Sequence, residues 1–218
     1  MILVILIPIA LIAMMIGSLA NYEQNLETLR FWRLLHSGLC VAIAGFSLTT
    51  ETPLPPYSIG LAASMVLILL SDIAARPAQK GSLYRGAMLV LTFTAVMVQP
   101  DLLEYLPAVL FGGLFSAALL VSALSSRTTT PAAAQAVGIA SFTFPAAALL
   151  ALLPHLVGAS GPLIVVGALL LVVHGIERVY FPTGFYRGMR TGELTAMGAH
   201  LMIVVTAGMI GIEGGWIG

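Results

Sequence analysis

Charge is what this sequence has least of. Only 8% of its 218 residues are Asp, Glu, Lys or Arg, against 59% apolar, whereas a soluble globule carries charge on about a quarter of its residues. A chain this poor in charge cannot clothe itself in water, so lipid must solvate most of it. Nine basic and nine acidic residues cancel, which excludes the basic footprint of a nucleic-acid binder. The low polarity also excludes intrinsic disorder. Cysteine occurs once, as Cys40, so an intramolecular disulfide and a cysteine-based metal cluster are ruled out. Patterns of the GxGxxG, GxSxG, HExxH and CxxC kinds are absent, and with them the soluble-enzyme chemistries they carry.

Long apolar runs are what the chain does have. They cover Met1 to about Ala20, Leu34–Thr50, Ser58–Ala75, Leu83–Gln99, Leu102–Leu124, Gln135–Pro154, Pro162–Glu177 and Thr195–Ile212. A helix rises 1.5 Å per residue, so runs of this length suit a hydrocarbon core of roughly 30 Å. The first lacks the basic start and small-residue cleavage site of a signal peptide, and reads as a retained helix. The expectation is an all-α polytopic transmembrane helical bundle of about eight spans, forming one domain over 1–218.

The basic residues orient it. Arg30 and Arg33, then Arg76, Lys80 and Arg85, then Arg127, then Arg178, Arg187 and Arg190 follow the odd-numbered spans, and the even-numbered connections hold none. Short basic loops stay cytoplasmic, so both termini are expected outside, in a bacterial inner membrane. Tyr84-Arg85-Gly86 and Tyr186-Arg187-Gly188 follow spans three and seven; this echo hints at a four-plus-four duplication, 1–100 and 101–218.

Ionisable groups inside a span are costly unless paired or solvated, which makes each a candidate site. His36 opens span two, Asp72 closes span three, His174 and Glu177 close span seven, and His200 lies near the start of span eight. All five share one membrane depth on the cytoplasmic side. His174 and Glu177, three apart, also share a helix face. Small residues on the same spans (Gly60, Ser64, Ser71, Gly167, Gly208 and Gly211) suit close packing in lipid and suggest that these faces meet around a polar pocket. The plainer readings are equally concrete. Asp72 would pair with Arg76 one turn on, Glu177 would be an interfacial carboxylate, and the histidines would bond to backbone carbonyls. Arg187 and Arg190 would serve topology and anionic lipid.

Span three, GLAASMVLILLSDI, ends in Ser71-Asp72, and span seven runs from Gly167 to His174-Gly175. In the order of these elements the chain resembles the lysoplasmalogenase-like family of eight-span membrane proteins. His174-Gly175 stands where that family's second Ser-Asp is expected, with Glu177 two residues on, and Ala199-His200 stands for its Ala-Gln. The resemblance implies hydrolysis of the vinyl ether of a lysophospholipid, with no cofactor. Asp72 would donate the proton, and Glu177 or His174 would steady the cation and activate water. Arg187 and Arg190 would hold the phosphate, with His200 and His36 also contacting substrate. A second scheme has His36, Asp72, His174 and His200 bind zinc and activate water, but the paired i,i+4 histidines typical of such membrane hydrolases are missing. The non-enzyme alternatives are a structural subunit of a larger membrane complex or homo-oligomer, and a small-solute carrier. Beyond membrane lipids the sequence names no partner.

Overall fold

A computed structural model describes residues 2–22, 25–49, 55–97, 131–153, 160–180 and 192–212. Among them are seven helices and no strand: α1 Ile2–Tyr22, α2 Leu26–Thr49, α3 Pro55–Ile73, α4 Pro77–Met97, α5 Pro131–Leu150, α6 Ser160–Tyr180 and α7 Gly192–Ile212. Three segments, Ile2–Asn21, Leu26–Thr49 and Ser160–Tyr180, are long and apolar enough to cross a membrane, and Tyr57–Ile73, Gly138–Leu150 and Gly192–Thr206 are shorter apolar stretches. The run at 102–124 lies outside the described residues, as does the second tripeptide of the proposed duplication.

The helices begin where local chemistry starts them rather than where hydropathy does. Asn25 caps α2, its Oδ1 accepting from the Thr28 N–H at 3.1 Å, which satisfies a donor the first turn leaves unpaired. Pro55, Pro77 and Pro131 each hold the first position of a helix, where proline's fixed φ helps and its missing N–H is not needed. Consequently α2 starts eight residues before the expected Leu34, and Glu27, Arg30 and Arg33 lie on a helix rather than in a loop. Arg178 and Glu193 are likewise helical. Hydropathy marks the hydrocarbon-matched part of a helix, whereas charged ends continue it by snorkelling.

Each helix packs on the next described one in the sequence, and α7 returns to pack on α1, α2 and α3. That makes α7 the central element. Ala196, Met197, Ala199, Leu201, Ile203 and Val204 are all buried on it, so its apolar surface extends over several faces, as a helix with neighbours on several sides requires. Its polar side chains have nowhere to go but toward neighbours: Tyr57 of α3 and Thr206 share a hydrogen bond at 3.3 Å.

The outer faces are apolar. On α1 the large residues Ile5, Ile9, Ile12 and Leu19 point outward, while Ala10, Ala13 and Ala20 point in. Ile59, Val66, Leu70 and Ile73 of α3 and Val166, Leu169, Val173 and Ile176 of α6 are exposed as well. Large side chains outside and small ones at the contacts are what lipid solvation favours.

The small stripe of α3 packs against α4, and Ser71 at its end also lines the cavity described below. Ser64 Oγ donates to the Ala87 carbonyl and Ser71 Oγ to the Lys80 carbonyl, each at 2.9 Å. A β-carbon at Gly60 would run into the Thr94 side chain. Gly60→Ala should therefore force α3 and α4 apart and destabilise the protein by about 1–3 kcal/mol, read as a lower unfolding midpoint in detergent. Thr94→Gly in the same chain should recover most of the loss; no recovery would place the strain elsewhere.

Candidate functional site

A cavity of about 620 Å³ opens at the end of the bundle where α2, α4 and α7 begin and α1, α3 and α6 finish. Arg33, Asp72, Tyr84, His174, Glu177 and His200 are on its wall. Four of the sequence candidates, Asp72, His174, Glu177 and His200, are thus brought together. His36 is not among the lining residues.

Arg33 organises one side. Its Nη2 meets Asp72 Oδ1 at 2.5 Å, and its Nη1 donates to Glu193 Oε1 at 3.0 Å. One guanidinium thereby ties α2 to α3 and to α7, using the fork that makes arginine suited to paired carboxylates. Ser37, one turn along α2 on the same face, donates to the other Asp72 oxygen at 2.5 Å. The Asp72 side chain is 5% exposed. The ion pair expected one turn on, with Arg76, is replaced by this one across helices. The physical reason is that Asp72 points inward, toward α2, whereas Arg76 is exposed.

Opposite lies Glu177, 8% exposed, whose Oε2 accepts from Thr195 Oγ1 of α7 at 2.9 Å. It is a buried carboxylate rather than an interfacial one. His174, on the same face one turn earlier, stands edge-on to Phe142 with ring centroids 5.1 Å apart. Its Nδ1 is buried and makes no well-formed hydrogen bond among the described residues, a costly state that a ligand atom would relieve.

Tyr84 of α4 joins the two halves. It is buried, its hydroxyl lies 2.9 Å from His200 Nε2, and the Arg178 guanidinium sits over its ring at 5.7 Å, within cation–π range. Tyr84→Phe should leave the His200 ring without that partner and cost about 0.5–2 kcal/mol. The cost should largely vanish in a His200→Leu background, as measured by a double-mutant cycle on thermal unfolding; additive losses would mean the two side chains do not interact.

His36 is fully buried beside the main chain. Nδ1 lies 3.1 Å from the Ala10 carbonyl and Nε2 3.0 Å from that of Met197, with Cys40 Sγ 3.5 Å from Nε2. It clasps α1, α2 and α7, the carbonyl-bonded role given as the plainer reading. Arg187 and Arg190 lie outside the described residues. Lys80, also on the cavity wall, has its pKa lowered from the usual lysine value by burial first and then by the nearby Arg33 and Arg178 charges, against Asp72 and Glu193.

Sequence reasoning missed Arg33, Ser37, Lys80, Tyr84, Arg178 and Glu193 as wall residues. In the sequence Arg33 and Lys80 stand as topological charges and Tyr84 as part of a repeated Tyr-Arg-Gly tripeptide. The available signal was the i,i+4 spacing of Arg33 with Ser37 and of Lys80 with Tyr84, which puts each pair on one helix face. Among the described residues no three His, Cys, Asp or Glu side chains gather as a metal-ligand group, so the four proposed zinc ligands are not assembled there. Compared with family models, with curated proteins and with solved structures, the chain matches none.

Proposed function

We propose that this protein is an integral membrane hydrolase that cleaves the vinyl ether bond of lysoplasmalogen-type lysolipids by acid/base chemistry in the cavity. In this reading the chain crosses a bacterial inner membrane eight times, both termini are outside and the cavity faces the cytoplasm. The observation that carries it is the convergence of Asp72, Glu177, His174, His200 and Tyr84 on one cavity at the end of a bundle with apolar outer faces. The resemblance to the lysoplasmalogenase-like family supplies the substrate class.

Vinyl ethers break once a proton is added to the β-carbon. The α-carbon and oxygen then share a positive charge as an oxocarbenium ion, water adds to that carbon and loses its proton, and the hemiacetal collapses to an aldehyde and an alcohol. Two carboxyl groups suit this: an acid to supply the proton and a fixed anion to steady the cation. Asp72, held by Arg33 and Ser37, makes the contacts of a carboxylate anion, and protonating it would give up the ion pair. This favours Asp72 as the fixed anion and passes the donor role to Glu177. His174 or His200 takes the proton from water.

The test is product analysis. Purified protein incubated with lysoplasmalogen should release a fatty aldehyde, detected by mass spectrometry. An ester-linked lysophospholipid should give no fatty acid, and Asp72→Asn should lose most of the aldehyde. Failure of the wild type to release aldehyde would overturn the proposal.

A further inference from the structure

Cavity-wall charge is unevenly compensated. Among the described residues four cations, Arg30, Arg33, Lys80 and Arg178, line it with three carboxylates, Asp72, Glu177 and Glu193. Arg33 takes two of those carboxylates for itself. Among the described residues Arg30, Lys80 and Arg178 form no ion pair with any carboxylate. Lys80 and Arg178 flank the same aromatic ring, Lys80 one turn before Tyr84 on α4 and Arg178 above its face. They also lie close enough to oppose each other's charge. Two like charges on separate helices line one cavity, neither ion-paired with a carboxylate among the described residues, and their mutual repulsion is a cost that an anion would lower.

We propose that Lys80 and Arg178, with Arg30 at the rim, form an anion subsite that takes a phosphate-monoester headgroup, so that the protein prefers amphiphiles of net negative headgroup over zwitterionic ones. Such a preference has an attractive and a repulsive half. A monoester phosphate brings up to two negative charges and three acceptor oxygens, which an ammonium and a guanidinium on separate helices can share. A choline or ethanolamine headgroup brings a cation into the same space, where the carboxylates of Asp72 and Glu193 are already taken by Arg33. This inference rests on the proposed function only for the lipid-like form of the ligand; the subsite itself follows from the charges.

Binding, not turnover, tests it. The full chain in phosphatidylcholine nanodiscs is titrated with two uncleavable alkyl-ether lysolipids of the same tail, one a phosphate monoester and one a phosphocholine, and affinity is read by calorimetry. The monoester should bind about tenfold tighter or more, a preference worth one well-placed charge contact. Lys80→Gln and Arg178→Gln should each lower monoester affinity several-fold and leave phosphocholine affinity unchanged, while Lys80→Arg keeps the preference and guards against a folding artefact. Inorganic phosphate supplies the second arm. Competition by it supports a site for phosphate itself, and its failure to compete supports a site that needs the tail. Equal affinity for the two headgroups, or a preference that survives both Gln variants, overturns the subsite. A preserved headgroup preference in a protein that releases no aldehyde from any lysoplasmalogen would sink the hydrolase reading and leave the subsite standing.

Discussion

Replacing Arg33 with leucine should destabilise the protein by about 2–4 kcal/mol, more than any other single change at the cavity, because it strands a buried carboxylate. Asp72 is 5% exposed and meets Arg33 at 2.5 Å; without the guanidinium, its remaining donor is the Ser37 hydroxyl. Orphaning one member of a buried pair typically costs about 3–5 kcal/mol. The figure is set lower here because the Arg33 side chain is 21% exposed, so water reaches the site, and because polar contacts within membrane proteins average well under about 1 kcal/mol each in double-mutant cycles. Glu193, 27% exposed, should turn to solvent at little cost. The decisive variant is the double one. Arg33→Leu with Asp72→Leu removes both charges, leaves no carboxylate stranded beside α2, and should be nearer the wild type in stability than either single change. Thermal unfolding of the four proteins in one detergent gives the cycle. Additive losses would mean that Arg33 and Asp72 act independently and that the three-helix tie does not hold α2, α3 and α7 together.

That tie also marks the line between what the sequence disclosed and what it did not. Depth was legible: Asp72, His174, Glu177 and His200 each fall near one end of an apolar run, and the basic connections mark those ends as one side. Azimuth was not. The position of Asp72 relative to Arg76 in sequence made a local i,i+4 pair the economical expectation. The rotation of α3 instead turns the carboxylate toward α2, and only packing sets that rotation. Helix starts misled for a related reason. A capping Asn25 and three leading prolines extend helices beyond the apolar residues, and this carries Arg33 and Lys80 from supposed loops onto helices whose faces reach the cavity. Tyr84 stood out only for its place in the Tyr-Arg-Gly tripeptide, yet the same helix phase that buries Ala87, Met88 and Leu91 also buries its ring. For the small-residue stripe of α3 the sequence rightly indicated close packing, but the partner is α4, which Gly60, Ser64 and Ser71 all meet, while Asp72 turns to Ser37 of α2.

Glu177→Gln should lower the rate of aldehyde release by about 10²–10⁴-fold, the range for loss of a positioned general acid, while leaving the fold nearly untouched. Glutamine has the shape of glutamate, and its amide oxygen still accepts from the Thr195 hydroxyl that now bonds Oε2 at 2.9 Å. The buried site therefore keeps its packing and its hydrogen bond but loses its acidic proton. A conservative variant separates this role from that of Asp72. Glu177→Asp keeps a carboxyl group at this position and should be faster than Glu177→Gln; equal rates in the two would count against a proton donor here and return that role to Asp72, whose pairing with Arg33 and Ser37 would then have to open when the lipid binds. Wild-type rates in Glu177→Gln would remove this carboxylate from the chemistry altogether.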